Sequence, residues 1–409
     1  MRSLAALLAA NVISITGNRM AALVIPWFVL ETTGSVAKTG LAAFFSFLPF
    51  VLSSAVSGPV IDRLGFLRTS VISDVASGLS VLAIPVLYHA GGLSLGVLLA
   101  LVFAGALLDA PGQAAREAIL PDVLGEAGMT LERGTAFFDG ATRAAGMLGA
   151  PLAGVLIAFI GSANVLFVDA ASFAASALLV GAFVRAGRRE AGGAKEQAPA
   201  YLAALREGYA FLWRMPILRA VVLMVLVTNM LDAAMFGVLL PVYADRILDS
   251  VVVFGLMSGV MGATALVGTL VFAAIGHRLP RVSTLVGGFT LGGPSRFFLL
   301  AATPGAAGAI AGFGVAGAGI GPVNPILGTI QYEVVPEQLR ARVFGAVSAG
   351  VLAGAPVGAL LGAGLVELIG LRATFLAMGV VYLACTLSPL LVPAWRDLPT
   401  RTEAVTERA

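Results

Sequence analysis

The chain has 409 residues, of which 59% are hydrophobic and only 11% are charged, and its formal net charge is +3 at pH 7. Counting its 50 glycines and leaving out tyrosine raises the apolar share to about 70%, whereas soluble domains hold about 45–50% apolar and about 25% charged residues. A water-soluble core cannot absorb that much apolar surface. The composition therefore predicts an all-α membrane protein whose solvent is mostly lipid.

The residue types that build many enzyme active sites are scarce. The single cysteine, Cys385, forms neither an internal disulfide nor a Cys-x-x-Cys pair, and the two histidines lie far apart. No His-Glu-x-x-His or Gly-x-Ser-x-Gly motif occurs, and neither lysine lies in a P-loop pattern. We expect no catalytic residue, no cofactor and no metal site. The positive charge is dispersed over loops, so no nucleic acid partner is expected.

Twelve apolar runs are long enough to cross the hydrocarbon core of a bilayer as helices, which takes about 20 residues each. These segments 1 to 12 cover residues 4–30, 36–57, 67–88, 93–110, 136–160, 163–184, 217–242, 251–275, 282–302, 305–328, 343–369 and 372–392. An even number of crossings predicts that both termini lie on the same side of the membrane.

The distribution of basic residues predicts which side that is, because Lys and Arg concentrate in cytoplasmic loops. With both termini in the cytoplasm, only Lys38, Arg246 and Arg372 lie in outer loops. Three more arginines fall within segments, so the other 19 of the 25 basic residues lie on the cytoplasmic side. We therefore expect a multi-pass protein of a bacterial inner membrane with cytoplasmic termini.

A polar stretch at residues 185–216 divides the segments into six and six. It predicts an N-terminal six-helix half at 1–184, a C-terminal half at 217–392 and a cytoplasmic tail at 393–409. Within the stretch, Leu205, Tyr209 and Leu212 recur at helical spacing beside Arg206 and Glu207. This pattern predicts a linker with an amphipathic helix on the inner membrane surface.

The two halves resemble each other when the sequence is shifted along itself, and the order of the matches indicates a duplication. Two six-helix repeats related by an axis along the membrane normal are a known transporter arrangement. One constant shift pairs Pro26 with Pro241, Ser35 with Ser250, Gly40 with Gly255 and Gly78 with Gly293, and a slightly shorter shift pairs Gly149 with Gly354 and Pro151 with Pro356.

The loop after segment 2 contains an acid and two arginines between glycines. It resembles the signature loop of the major facilitator superfamily, Gly-x-x-x-Asp-Arg-x-Gly-x-x-Arg. In that family the loop latches the two halves at the cytoplasmic side and gates alternating access; the alternative is a solvated turn. The resemblance carries the gating role to Gly58, Asp62, Arg63, Gly65 and Arg68. The counterpart around Arg278 is degenerate, so one latch is expected.

Two further stretches, at residues 26–35 and 108–122, look like the drug and siderophore exporters of this superfamily, which include macrolide-efflux and enterobactin-exporter proteins. The resemblance extends over essentially the whole chain and implies the major facilitator fold with twelve transmembrane helices. In segment 5 a Gly/Pro pattern resembles the antiporter motif of such exporters, although close helix packing in lipid also explains its glycines. The residues of this pattern are Gly146, Gly149, Pro151 and Gly154.

Ionisable residues within the segments are functional candidates because burying them in the membrane is costly. Arg19 and Asp232 lie near the middle of segments 1 and 7, which line the central cavity in the family fold. Their separation would release or capture a proton, so both are proton-coupling candidates; the alternative is a static ion pair between the halves. Asp139 and Arg143, one turn apart, form a second candidate pair. Asp74 and Asp109 are expected to pair with the Arg63–Arg68 loop.

Amide, methionine and aromatic side chains within the segments suit large, mostly apolar ligands that carry a few polar groups. For each of them helix packing is the competing interpretation. The cavity candidates are Asn11, Asn18, Trp27, Asn229, Met230, Met235, Phe236, Asn324 and Gln331.

Taken with the resemblance, these features predict a monomeric secondary transporter that exports amphipathic small molecules by alternating access in exchange for protons. Its partners would be the lipid bilayer, a small-molecule substrate and protons. Two alternatives stay open: an uptake carrier for a small nutrient, and a membrane protein that binds or senses a ligand without transport. The absence of a catalytic constellation argues against an enzyme.

Overall fold

The computed structural model describes residues 2–184, 198–303 and 305–395. Among these residues every predicted segment is helical. The N-terminal half consists of six helices: α1 (Arg2–Thr33), α2 (Val36–Leu64), α3 (Phe66–His89), α4 (Leu95–Glu126), α5 (Leu131–Ile160) and α6 (Ser162–Phe183). The linker contains α7 (Ala198–Arg214). The predicted tail beyond residue 395 and linker residues 185–197 lie outside the described residues.

Several segments of the C-terminal half are interrupted helices. Segment 7 runs from α8 (Pro216–Ala234) through a π-helical turn at Met235–Leu239, α9 (Leu240–Tyr243) and a second π-helical turn at Ala244–Leu248. The remaining helices are α10 (Val251–Ile275), α11 (Arg281–Gly292), α12 (Pro294–Ala301), α13 (Ala306–Ile320), α14 (Val323–Val334), α15 (Arg340–Leu352), α16 (Ala355–Ile369) and α17 (Leu371–Leu391). Pro294, Pro322 and Pro356 lie at or beside three of the interruptions, because proline lacks the N–H group that a continuous helix uses.

Ten of the segments contain helices that are long and apolar enough to cross a membrane. The other two are segment 2, in which the described apolar stretch of the helix is Val36–Leu52, and segment 9, which breaks between Gly292 and Pro294. The helices also extend beyond the predicted runs. The largest extension is in α4, which continues from the predicted end at residue 110 to Glu126.

Matching turns in the two halves support the duplication. Gly34 and Asp249, which the shift between Pro26 and Pro241 also pairs, both adopt left-handed conformations, with φ of 63° and 47°. The next residues, Ser35 and Ser250, both cap the following helix by accepting a hydrogen bond from the backbone N–H three residues on. The halves are therefore two six-helix repeats of the same design. Near the end of the repeat, the turn at Gly161 matches the turn at Gly370, so the shift there is slightly longer than predicted.

The two halves meet at one end of the bundle. We call the end that carries the Gly65 turn and α7 the linker end, and the end that carries the turns at Gly34, Gly161 and Gly370 the opposite end. Near the opposite end α2 packs against α16 and α5 packs against α10. A Cβ atom on Gly154 would lie 2.8 Å from the Val251 carbonyl oxygen, so the backbones of α5 and α10 touch.

Toward the linker end the contacts between the halves are fewer, and one of them joins α2 to α15. Within the described residues, α11 and α14 of the C-terminal half make no extensive contact with the N-terminal half. Helix α7 packs on α15, where a Cβ atom on Gly208 would lie 2.5 Å from the Arg342 carbonyl oxygen and Leu212 joins a cluster with Val343 and Val347. The linker helix is therefore attached to the C-terminal half, and the bundle is closed at the opposite end and parted at the linker end.

Candidate functional site

A buried ion pair lies at the centre of the N-terminal half. Arg116 on α4 donates from one guanidinium nitrogen to both carboxylate oxygens of Asp74 on α3, at 2.8 and 3.0 Å, and both side chains are 0% exposed. Ser176 on α6 donates to Asp74 at 2.7 Å, and Arg116 donates to Ser14 on α1 at 3.2 Å. The pair thus joins four helices, and its partners saturate the Asp74 carboxylate.

Asp109 is a second acid beside this pair, two helical turns before Arg116 on α4. Its Oδ2 accepts from the amide of Asn18 on α1 at 2.9 Å and from the amide of Gln113. Its Oδ1 is buried with no hydrogen-bond donor and lies 3.9 Å from the guanidinium of Arg116. Uncharged amides therefore supply the hydrogen bonds of Asp109, whereas Arg116 bonds to Asp74.

Asp169 on α6 is a third acid, and it is 1% exposed. It approaches α1 at Gly17, where a Cβ atom would lie 2.5 Å from the Asp169 Oδ1. The Ser172 hydroxyl is 3.4 Å from that oxygen, and the buried Oδ2 has no hydrogen-bond partner among the described residues. No cation lies within ion-pair distance of Asp169 there. Glycine at position 17 is required because any larger side chain would overlap Asp169 and Ser172.

The C-terminal half holds an ion pair with a different geometry near the middle of segment 7. Arg296 on α12 donates to Asp232 on α8 at 2.7 Å, and the Tyr382 hydroxyl on α17 is 3.4 Å from the other carboxylate oxygen. The Arg296 guanidinium lies 5.5 Å from the centre of the Phe236 ring, a cation–π arrangement. The Arg296 side chain is 1% exposed and the Asp232 side chain 31% exposed. The two charges of the pair therefore balance, and only the Asp232 side chain is partly exposed.

The predicted partners of these acids differ from those that the structure brings together. Asp232 pairs with Arg296 of its own half, so the alternative of a static Arg19–Asp232 pair that joins the halves is wrong. Arg19 is exposed and packs on α5 at Gly146 and Gly149. Asp74 and Asp109 group around Arg116 rather than the Arg63–Arg68 loop, because α4 continues past its predicted end and carries Arg116 into the bundle.

Asp139 and Arg143 lie on α5, and both side chains are exposed. No ion pair within 4.0 Å joins these two side chains, so the predicted pair one turn apart is absent in this conformation. Neither charge belongs to the buried network of Arg116, and a charge that solvent reaches has little effect on stability.

The signature-like loop forms the turn between α2 and α3. Gly65 has a φ of 78°, which favours glycine, and its N–H group closes the last turn of α2 on the Ile61 carbonyl oxygen. Gly58 lies within α2. Asp62, Arg63 and Arg68 are exposed, and among the described residues none of them forms an ion pair. In this conformation, parted at the linker end, the expected latch is not engaged.

The Gly/Pro pattern of α5 serves two contacts. Gly149 allows α1 to approach, since a Cβ atom there would lie 2.9 Å from the Thr16 carbonyl oxygen. Pro151 contacts Gly259 of α10, and Gly154 lies against Gly255 of the same helix. The second contact joins the two halves at the opposite end, so any opening there must separate these residues.

The predicted cavity residues fall into three groups. Asn11 and Asn229 form hydrogen bonds between helices, to Thr142 Oγ1 at 2.7 Å and the Val351 carbonyl oxygen at 2.9 Å. Trp27, which is buried and 6.4 Å from Phe254 between ring centres, and the fully buried Met235 act in packing. The remaining residues keep part of their surface accessible: Asn18, Met230, Phe236, Asn324 and Gln331.

Sequence reasoning missed the central role of Arg116 and gave Asp169 no specific partner. The seven-residue spacing of Asp109 and Arg116 places both on one face of a helix, and this signal was available. The Asp169–Gly17 contact joins residues of α6 and α1 that are far apart in sequence, so spacing gave no sign of it. The described residues hold no group of three or more His, Cys, Asp or Glu that would bind a metal ion.

A sequence profile of the Major Facilitator Superfamily matches residues 7–247 and 222–409. These matches extend over nearly the whole sequence, so the chain belongs to the major facilitator superfamily, a family of membrane transporters. The family, the helical membrane fold and the assignment as a transporter rather than an enzyme are thereby established, as the sequence predicted.

The chain is similar over most of its length to known efflux proteins. The multidrug efflux pump Tap of Mycolicibacterium fortuitum is 31% identical over 390 residues, which make up 93% of each chain. The multidrug efflux pump Tap of Mycobacterium tuberculosis (strain ATCC 25618 / H37Rv) is 28% identical over 408 residues, 98% of this chain and 96% of that protein.

Solved transporter structures share the fold. The nucleoside transporter NupG superposes with a TM-score of 0.79 at 13% identity, over 95% of this chain and 98% of that one. A bacterial homologue of the iron transporter ferroportin, in an inward-facing state, gives a TM-score of 0.66 at 19% identity over 95% and 98% of the two chains. At these identities the likeness concerns the fold alone.

Proposed function

We propose that this protein exports amphipathic small molecules of the drug class across a bacterial inner membrane by alternating access, in exchange for protons. The observation that carries the proposal is the 31% identity to a multidrug efflux pump over 93% of the chain. A match of that extent includes both halves, the linker and the contacts between the halves.

The linker end is the cytoplasmic end in this proposal. The loops of the opposite end hold only Lys38, Arg246 and Arg372 among the basic residues, while the linker and the C-terminal tail are rich in arginine. The arrangement described above is then open to the cytoplasm. An exporter needs this state to take up its substrate, and one copy of the chain contains both halves, so a monomer suffices.

The substrate would bind in the space between the halves that opens toward the linker end. Asp232 offers a partly exposed carboxylate there, and Phe236 offers an aromatic surface next to it. Met230 and Asn18 border the same region with apolar and amide surface. This combination suits a mostly apolar compound with one cationic or hydrogen-bonding group.

Release on the other side requires the α5–α10 and α2–α16 contacts to part and the linker end to close. The loop at Gly58–Arg68 would then engage. Its exposed Asp62, Arg63 and Arg68 are placed at the turn that approaches the C-terminal half on closure. Asp139 and Arg143 lie on the linker-end portion of α5, and Arg19 lies near the middle of α1. These three residues are further candidates for contacts that form in that state.

Efflux from cells tests this function. We would measure the export of a macrolide, a cationic dye and a catecholate siderophore from cells that express wild type or Asp232→Asn, with and without a protonophore. We expect export of one compound to stop with the protonophore and to fall in the variant. Uptake instead of export would reverse the direction, and binding without flux in sealed vesicles would indicate a sensor.

A further inference from the structure

The N-terminal half buries more negative than positive charge. Its three acids at the helix interfaces are Asp74, Asp109 and Asp169, and the only buried arginine among them in the described part of this half is Arg116. Arg116 is committed to Asp74 through two hydrogen bonds, and Ser176 completes the Asp74 carboxylate. Asp109 is therefore left with only a long contact to the guanidinium of Arg116, 3.9 Å from its Oδ1, and Asp169 has no cation within ion-pair distance among the described residues.

The hydrogen bonds of these two acids are incomplete as well. Each has one oxygen that is buried without a donor among the described residues: Oδ1 of Asp109 and Oδ2 of Asp169. A charge buried without a counter-ion or donor is costly, and the addition of a proton removes the charge. We propose, building on the proton-driven export above, that Asp109 and Asp169 bind the proton that is exchanged for substrate.

The two acids share one element. Asp169 touches α1 at Gly17 and Asp109 accepts from Asn18, the next residue. Asn18 is only partly buried, so Asp109 is one side chain away from the accessible surface of the protein. The far part of α1 contacts the C-terminal half, where Trp27 packs on Phe254. A movement of the halves thus shifts α1 between the two acids and changes the surroundings of both.

The charged surroundings of the pair come from neighbouring helices. Helix α3 contributes Asp74 and α4 contributes Arg116. The polar groups that α1 and α6 contribute are uncharged, as Asn18 and Ser172 are. Arg19, the next residue on α1, is turned to α5 at Gly146.

The chemical step is proton binding alone. A proton from water adds to the unpartnered oxygen of either carboxylate, an O–H bond forms and the acid becomes neutral. The reverse step breaks that bond, returns the proton to water on the other side and restores the carboxylate. No electron is transferred, and no further reactant is needed.

Infrared spectroscopy of the purified full-length protein tests proton binding without a substrate. We expect the carbonyl-stretch absorption of neutral carboxylic acids in wild type, and the loss of part of it in Asp109→Asn and in Asp169→Asn. Asp245→Asn, which removes an exposed acid at the opposite end, is the matched control and should leave the absorption intact. If both test variants keep the full absorption, the assignment is wrong.

Transport in proteoliposomes tests coupling, with ethidium as the probe. Both variants should still equilibrate ethidium down its concentration gradient. The accumulation of ethidium that a pH gradient drives should fall at least tenfold. Asp109→Glu keeps an acid at the site and should restore accumulation if the fold is intact. If Asp109→Asn and Asp169→Asn both accumulate ethidium at the wild-type level, the assignment of the proton site is wrong, but the proposed export function stands. No gradient-driven accumulation by wild type would overturn the proposed function itself.

Discussion

The two halves repeat one backbone design but carry different buried charges. In the N-terminal half three acids share one arginine, and the Asp74–Arg116 pair is fully enclosed. In the C-terminal half one acid and one arginine balance, and Asp232 is 31% exposed. The position that the duplication pairs with Asp232 is Gly17, which makes room for Asp169 from another helix.

The two halves thus share the positions of their helices but differ in the buried charged residues that those helices carry. A balanced pair keeps its charges in place and suits recognition of a ligand. An unbalanced set changes its protonation more easily and suits coupling. In the mechanism proposed above, ligand recognition thus falls to the C-terminal half and proton binding to the N-terminal half.

The removal of the shared arginine should have the largest effect on stability. Arg116→Met leaves Asp74 and Asp109 buried without any cation, so we expect a loss of about 3–5 kcal/mol, the range for breaking one side of a buried ion pair. The thermal unfolding midpoint of the purified protein in detergent measures it. Arg143→Met, outside the buried network on α5, is the control; an equal drop in both variants would contradict the assigned role of Arg116.

The corresponding change in the other half should cost less. Arg296→Met leaves Asp232 without its cation, but that carboxylate is 31% exposed and solvent screens part of its charge. We expect a loss of about 1–3 kcal/mol, between the values for exposed and for buried pairs. The same thermal measurement, made side by side with Arg116→Met, compares the halves directly. A larger drop for Arg296→Met would reverse the comparison.

A change between the halves should shift conformation and leave both charge networks in place. In Gly154→Ala the new Cβ atom would lie 2.8 Å from the Val251 carbonyl oxygen, so α5 and α10 must move apart at a cost of about 1–3 kcal/mol. Spin labels on Lys38→Cys and Arg372→Cys in a Cys385→Ser background should report wider distances at the opposite end. Gly140→Ala, which has open space around it, should leave those distances unchanged.

The smallest effect is expected at a contact that only one half supplies. Glu367 on α16 accepts from the backbone N–H of Ala37 in the first turn of α2, at 3.1 Å. When the turns at Gly161 and Gly370 are aligned, its counterpart in the N-terminal repeat is Ala158. Glu367→Gln weakens a charge at a helix N-terminus by about 0.3–1 kcal/mol. The same spin labels should show a modest increase in the fraction of molecules with the longer distance at the opposite end. A shift to shorter distances would show that this contact does not hold the opposite end closed.

Much of the architecture followed from the sequence because the bilayer restricts it. The count of apolar runs predicted the twelve segments, and the landmarks shared by the halves predicted the repeat that Gly34 and Asp249 display. The signature-like loop at Gly58–Arg68 and the exporter-like stretches predicted the family that the profile match established. The amphipathic pattern in the linker corresponds to α7.

The partners of the charged residues did not follow from the sequence. Asp109 was assigned to a loop arginine because α4 was expected to end at residue 110, where the apolar run stops. A helix continues through polar residues when neighbouring helices supply their partners, as Asp74 does for Arg116. Asp232 was matched with Arg19 by symmetry, although its partner Arg296 lies within segment 9 of the same half.

From the sequence alone we could predict a membrane protein of twelve apolar segments in two related halves, because length, hydropathy and repeated landmarks are properties of the chain. The folded structure was needed to show which charges pair, that Asp169 has no cation within ion-pair distance among the described residues, and at which end the halves meet. Apolar residues surround these helices on nearly every side, so their sequences give little sign of which face turns toward which neighbour. Rotation of each helix about its own axis is set by packing, and that rotation brings Asp109 and Asp169 to the two neighbouring residues of α1.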